Sequence, residues 1–191
     1  RGIPYDYNAK EKKDGFDIIF CTLHGGGKFS DKNYKTSSGL HGVGAACVNA
    51  FAEWLNITVY KDGKEVQGGY RDGGKKKIAP KVIGNTSKRG SIVSFKPKLG
   101  ILTDVTWRYE LFAEHLNNTA SQLPGVHVYL IDERTDRKDD FYYENGIKEY
   151  LERKNQNNKA LTPILHFKET VGGGCYIEPP FHANFGGHHV H

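Results

Sequence analysis

The chain of 191 residues contains no methionine and begins with arginine, as expected of a fragment of a longer reading frame or a processed product. It holds only three cysteines, Cys21, Cys47 and Cys175. An odd, widely spaced set does not build a disulfide framework. Two of them sit in apolar runs, so buried free thiols of a cytoplasmic protein are expected. No apolar run approaches the roughly 20 residues that span a bilayer. Residues 1–20 also lack the apolar stretch of a secretory signal. No membrane partner is expected, and no internal repeat is visible.

What is present suits one domain, or a domain plus a piece of the next. Hydrophobic residues make up 37% of the chain, enough for a core. The net charge of +5 is spread along the chain and permits contact with nucleic acid or nucleotide phosphate. The one dense run, Lys75-Lys76-Lys77, reads as a solvated loop, with a DNA-backbone contact as the alternative.

Gly2 and Pro4 break any periodicity in residues 1–13. Phe16 to Leu23 is a continuous apolar run that suits a buried strand or a helix. His41 to Leu55 carries Val43, Cys47, Val48, Phe51, Trp54 and Leu55 at helical spacing, which predicts an amphipathic helix. Ile57–Tyr60 and Glu65–Tyr70 read as a hairpin turning at Asp62-Gly63. Lys75 to Lys88 reads as loop with a short strand at most, and Ser91 to Phe95 as a strand. Thr106 to Ser121 reads as a helix with Thr106 at its N-cap and Leu111, Phe112, Leu116 and Ala120 as its apolar stripe. Val126–Ile131 is a predicted strand, Asp132–Asp140 a charged turn, Phe141–Tyr143 a short strand and Gly146–Arg153 a short helix. Gly172-Gly173-Gly174 and Pro179-Pro180 argue against regular structure in the tail. This irregular alternation suits a two-layer α+β sandwich, a mixed sheet with helices on one face.

The stretch with most chemical content is Gly39-Leu40-His41-Gly42-Val43-Gly44, which opens the apolar run from Ala45. Its glycines let backbone N–H groups approach a ligand without interference from Cβ. A helix starting there would offer unpaired amides and the positive end of its dipole to an anion. Lys28 and Lys35 upstream can neutralise phosphate charge. The polar, glycine-rich stretch Gly25 to Gly39 is long enough to be a functional lid, with little burial to order it in the absence of ligand.

The flanking text is His24-Gly25-Gly26-Gly27-Lys28-Phe29, Tyr34-Lys35-Thr36-Ser37-Ser38-Gly39 and Val48-Asn49-Ala50, with Arg1-Gly2-Ile3-Pro4 at the start. Together with Arg89-Gly90-Ser91 and Tyr142 to Lys148, it resembles the GHKL-type ATPase domain of bacterial type IIA DNA topoisomerase B-type subunits, from Arg1 to about Ile164. The resemblance implies a Bergerat-type sandwich and makes the Phe16–Leu23 run helical. It implies that residues 1–165 are the ATP-binding domain without its N-terminal part. Residues 166–191 would be an irregular tail, a remnant of the transducer domain's start.

It further implies ATP and Mg²⁺ as cofactors. Leu40, His41, Gly42, Val43, Gly44 and Ala45 would grip the β- and γ-phosphates below a lid that includes Gly39. Tyr34 would touch the nucleotide. Gly2, Ile3 and Pro4 would line the base pocket with Arg1 near its mouth, and Ser91 would stand beside the adenine. The implied partners are DNA, an A-type subunit and a second B-type subunit joined on ATP binding. The family's general base is a glutamate and its metal ligand an asparagine, both on a helix that precedes the residue matching Arg1. The adenine-reading aspartate of the family's aspartate-glycine-arginine-glycine-isoleucine-proline motif precedes it as well. None of Glu11, Asp14 or Asp17 takes their place, so no catalytic residue and no metal ligand is assigned to this chain. The alternatives are a non-catalytic nucleotide-binding module and a MutL-like repair ATPase; the Tyr34–Gly39 approach to the loop argues against the latter. His182, His188, His189, His191 and Cys175 offer zinc-type ligands, but their spacing matches no structural zinc pattern.

Overall fold

Ala52–Lys61 alternates between core and solvent, and the first part of the molecule is assembled on this strand. The computed structural model describes residues 2–23, 42–156, 164, 168–171 and 174–177. The chain divides into two compact units, Arg1–Val105 and Thr106–His191.

The first unit contains β1 (Tyr7–Asn8), β2 (Lys13–Asp14), α1 (Gly15–Phe20), α2 (Gly44–Ala50), β3 (Ala52–Lys61), β4 (Lys64–Arg71), β5 (Lys76–Asn85) and β6 (Gly90–Pro97). The last four form one antiparallel sheet in the order β5-β4-β3-β6. On β3, Leu55, Ile57 and Val59 face inward at period two and are at most 1% exposed. Their partners across β4 are Tyr70, Gly68 and Val66. Phe16 and Phe20 of α1 close over these residues, and Ala45 of α2 packs beside them. The two helices thus cover one face of the sheet, the expected two-layer arrangement. Each fully buried aliphatic side chain contributes about 1.5–3 kcal/mol of transfer free energy.

Two elements differ from the sequence expectation for definable reasons. The helix predicted over His41–Leu55 ends at Ala50, and β3 begins at Ala52. A register shift between Ala52 and Trp54 lets Ala52 and Leu55, three residues apart, both face the core. A bulge therefore imitates helical spacing. The predicted stripe is not inward either: Val48 and Phe51 are exposed, and α2 buries Ala46 and Asn49 instead. Lys75–Lys88 is not a loop, because β5 runs for ten residues along the edge of the sheet. Its Pro80 is tolerated where the pairing skips between Gln67 and Gly69. The hairpin at Asp62-Gly63 forms as expected, with φ of +53° and +75° at the two turn residues.

Around α1 the polar contacts are mutual. Asp14 caps the helix by accepting from the Asp17 N–H at 3.0 Å. The Tyr70 hydroxyl donates to Asp17 Oδ1 at 2.8 Å. Lys77 of β5 donates to both Asp14 and Asp17. Burial opposes the Lys77 ammonium, but the two carboxylates outweigh it and hold its pKa above the usual lysine range. Burial, reinforced by Asp17, pushes the Tyr70 phenol far up. Cys21 and Cys47 are free but exposed, contrary to the buried thiols expected.

The second unit holds α3 (Tyr109–Ser121), the hairpin of β7 (Val128–Asp132) and β8 (Arg137–Phe141), α4 (Ile147–Asn155), and a hairpin of β9 (Lys168–Val171) and β10 (Gly174–Ile177). Its buried residues, among those described, are Tyr109, Ala120, Ser121, Tyr143 and Gly146. The Tyr143 hydroxyl donates to Asn117 Oδ1 at 2.6 Å, and the Tyr109 hydroxyl to Asp139 Oδ2 at 2.8 Å. Thr106 does not cap α3, which starts at Tyr109 after Arg108. Leu111 and Phe112 of the predicted stripe are exposed, and only Ala120 of that stripe is fully buried. β8 starts inside the predicted charged turn, with Asp136 at φ +52° closing the actual one. β9 and β10 replace the irregular start expected for the tail, Val171 pairing with Gly174. The histidines of the tail lie outside the described residues.

Gly68 is required by the core: a Cβ there would lie 2.9 Å from the Ile78 carbonyl oxygen and 3.0 Å from Phe16 Cε2. Gly68→Ala should therefore cost roughly 1–3 kcal/mol through overpacking, while Lys64→Ala should stay within about 0.5 kcal/mol. Urea unfolding followed by circular dichroism measures both.

Candidate functional site

The inward side of β6 is the starting point. Ser91, Val93 and Phe95 stand opposite Val59, Ile57 and Leu55, so they share the core face of the sheet. The β3 residues are at most 1% exposed, whereas Val93 and Phe95 are each 40% exposed. The helices cover this face over β3 and β4 and leave it half open over β6. The result is an apolar floor with a hydroxyl at one end.

The segment Gly2–Tyr5 borders that end. The Ile3 N–H donates to Ser91 Oγ at 2.9 Å, across 88 positions of sequence. Ile3 and Tyr5 also pack against the core cluster. Two glycines permit the approach. A Cβ on Gly2 would lie 2.8 Å from both Val59 Cγ1 and Lys61 Cβ, and one on Gly15 would collide with the Pro4 carbonyl. The Gly15 N–H donates to the Asp6 carbonyl at 3.1 Å, tying the segment to the start of α1. Pro4 itself is exposed.

Gly42 adopts φ +59°, a conformation that suits glycine, and Val43 precedes α2 without a side-chain cap. Among the described residues a Cβ on Gly44 would meet nothing within 4 Å. Ala45 packs on the same core cluster as Ile3. Of the residues expected at the site, the structure brings Gly2, Ile3 and Pro4 together with Ser91. It sets Gly42, Val43, Gly44 and Ala45 at the uncapped end of α2. Arg1, Lys28, Tyr34, Lys35, Gly39, Leu40 and His41, and with them the predicted lid Gly25–Gly39, lie outside the described residues.

Val93 and Phe95 were not singled out in the sequence, although the period-two rule applied from Ser91 points to them. Asp14 and Asp17 are engaged by the α1 backbone, Tyr70 and Lys77. Among the described residues no three or more His, Cys, Asp or Glu side chains converge on a common point.

The fold is that of a GHKL-type ATPase domain. The chain superposes on the 43K ATPase domain of Thermus thermophilus gyrase B, solved with an aminocoumarin, with a TM-score of 0.72 at 24% identity. The match covers 90% of this chain and 43% of that one. No family model matches the chain. Curated proteins do. The B subunit of DNA topoisomerase 4 from Bacillus subtilis is 40% identical over 168 residues, 88% of this chain and 26% of the relative. The B subunit of DNA gyrase from Thermotoga maritima is 39% identical over 171 residues, 89% and 27% of the two. The topoisomerase 4 counterpart from Enterococcus faecalis is 44% identical over 176 residues, 91% and 26%. Over about nine tenths of its length the chain is homologous to the B subunits of gyrase and topoisomerase IV. It spans about a quarter of the length of these relatives.

The Ile3–Ser91 bond yields a direct test. Ser91→Ala should cost about 0.5–1.5 kcal/mol, the usual net value of one hydrogen bond. It should speed hydrogen exchange at the Ile3 amide, while Ser91→Thr should retain protection. Amide exchange read by NMR on the two variants distinguishes them.

Proposed function

We propose that this chain is the ATP-binding portion of a type II DNA topoisomerase B-type subunit. Residues 1–165 form the nucleotide-binding domain, and 166–191 lie beyond it. The reading is carried by the Ile3–Ser91 hydrogen bond. It joins the two motifs the family uses around the adenine at the edge of a half-open apolar floor of Val93 and Phe95.

In this reading the base lies on Val93 and Phe95, bordered by Gly2, Ile3, Pro4 and the Ser91 hydroxyl, with Arg1 at the mouth. The phosphates lie toward Gly42, Val43, Gly44 and Ala45. The positive φ of Gly42 and, among the described residues, the lack of a side-chain cap on α2 suit those amides to an anion. Leu40 and His41 extend the cradle, and Lys28, Tyr34, Lys35 and Gly39 belong to the lid. The nucleotide carries Mg²⁺, for which no residue of this chain is assigned as a ligand. In the intact cytoplasmic enzyme, ATP binding closes two such domains into a gate, and hydrolysis resets it. The partners are an A-type subunit and DNA.

Turnover by this chain alone should be negligible, because no residue in it matches the family's general base. Loss of a base costs about 10²–10⁴ in rate. Calorimetric titration with a non-hydrolysable ATP analogue should detect binding that Gly42→Val abolishes. A branched side chain at φ +59° is strained and enters the phosphate path. Lys64→Ala, on the hairpin, should leave affinity within about 0.5 kcal/mol. Equal affinity of wild type and Gly42→Val would remove this loop from the site.

A further inference from the structure

The outward face of the β5-β4-β3-β6 sheet carries a chemistry that nucleotide binding does not use. Register places Lys76, Arg71, Trp54 and Lys96 in one row across its four strands. Adjacent strands lie about 4.8 Å apart, so the row spans roughly 14 Å. Lys76 is exposed, Arg71 and Trp54 are half-buried, and the Lys96 side chain is 52% exposed. Among the described residues Lys76 and Arg71 make no ion pair. The Arg71 guanidinium is aligned by donating to the Tyr70 carbonyl at 2.8 Å and to the Leu55 carbonyl at 3.5 Å. Lys96 is held by Glu53 at 2.8 Å. Further along the face Lys81 stands beside Gln67, and Lys88 covers the Tyr60 ring at 5.5 Å. Between the cations lie hydrogen-bonding groups, with Asn56 paired to Ser94 and Thr58 to Gln67, beside the exposed Ile92 and the Glu65 carboxylate, which accepts from Gln67 at 2.9 Å.

We infer that this face docks the phosphate backbone of duplex DNA. A cation row interleaved with amides and hydroxyls matches a regular, solvated polyanion in charge and in hydrogen bonding. An apolar protein partner would leave the row of positive charge unpaired. A single strand would need exposed rings for base stacking, whereas Trp54 and Tyr60 are half-buried. A sheet face laid flat has nothing to insert into a groove, so the contact is independent of sequence. The inference rests on the topoisomerase reading only for the choice of DNA as the duplex.

Trp54 stands in the row, and Trp107 is the only other tryptophan in the chain. Trp107→Phe therefore leaves Trp54 as a local reporter. A short mixed-sequence duplex, titrated without nucleotide, should change Trp54 emission. The logarithm of affinity should fall linearly with the logarithm of salt. Each phosphate contact contributes about 0.9 to that slope, so Lys76→Ala with Lys96→Ala should lower it by nearly 2. Lys148→Ala, which removes a charge on α4, should leave it unchanged. Absence of binding, an unresponsive Trp54, an equal slope change in the control, or tighter binding of the single strand would each overturn the proposal. Because no nucleotide is present, a failed ATP-analogue titration leaves this result standing, and the reverse holds too.

Discussion

The close approach of Gly2–Tyr5 to both layers of the first unit is the constraint on which the candidate site depends. Gly2 admits the segment against Val59 and Lys61, and Gly15 admits it against the first turn of α1. A side chain at either position would collide with backbone or with the sheet, and the segment would move off. Ile3 would then lose its bond to Ser91 and its place on the core cluster. The segment meets β6 at Ser91, while Val93 and Phe95 farther along that strand stay half exposed. A packed core and an open floor therefore coexist on one face of one sheet.

Tethers between elements keep that floor in place. Lys77 on the edge strand grips Asp14 and Asp17 at the start of α1, and Tyr70 on β4 holds Asp17 from inside. α1 is thereby tied to both strands that lie farthest from β6. From its other end, the buried Asn49 amide of α2 donates to the Phe20 carbonyl at 2.9 Å and joins the two helices. Among the described residues Asn49 Oδ1 is buried without a hydrogen-bond partner. The carboxylates nearest the site thus serve to position α1.

The two-layer class, the Asp62-Gly63 hairpin and the strand at Ser91 were legible from alternation and turn chemistry alone. The site was legible only in part, because its glycines announce close approach but not what is approached. Nothing local in Arg1-Gly2-Ile3-Pro4 points to Ser91; that pairing came from the resemblance, and the Ile3–Ser91 bond gives it a physical form. Two of the errors share one cause, a non-local pairing that overrode a local pattern. The bulge at Ala52–Trp54 made a strand look helical, and an edge position made the lysine- and proline-bearing β5 look like loop. Leu111 and Phe112 form a helical stripe by spacing, yet they remain exposed on α3. Periodicity identifies a helix more securely than it identifies which face is buried.

The run at Lys75-Lys76-Lys77 shows why charge is hard to interpret before register is known. As a loop, its three cations would be equivalent and solvated. On β5 they separate, because alternate residues of a strand face opposite sides. Lys77 turns to the core side and locks α1, whereas Lys76 faces out beside Arg71. Lys75, before the strand, reaches Asp72 at 3.8 Å. One residue of register thus divides a basic run between holding the helical layer and charging the opposite face. A single sheet can then present an apolar floor on one side and a cationic row on the other, with neither surface competing for the same residues.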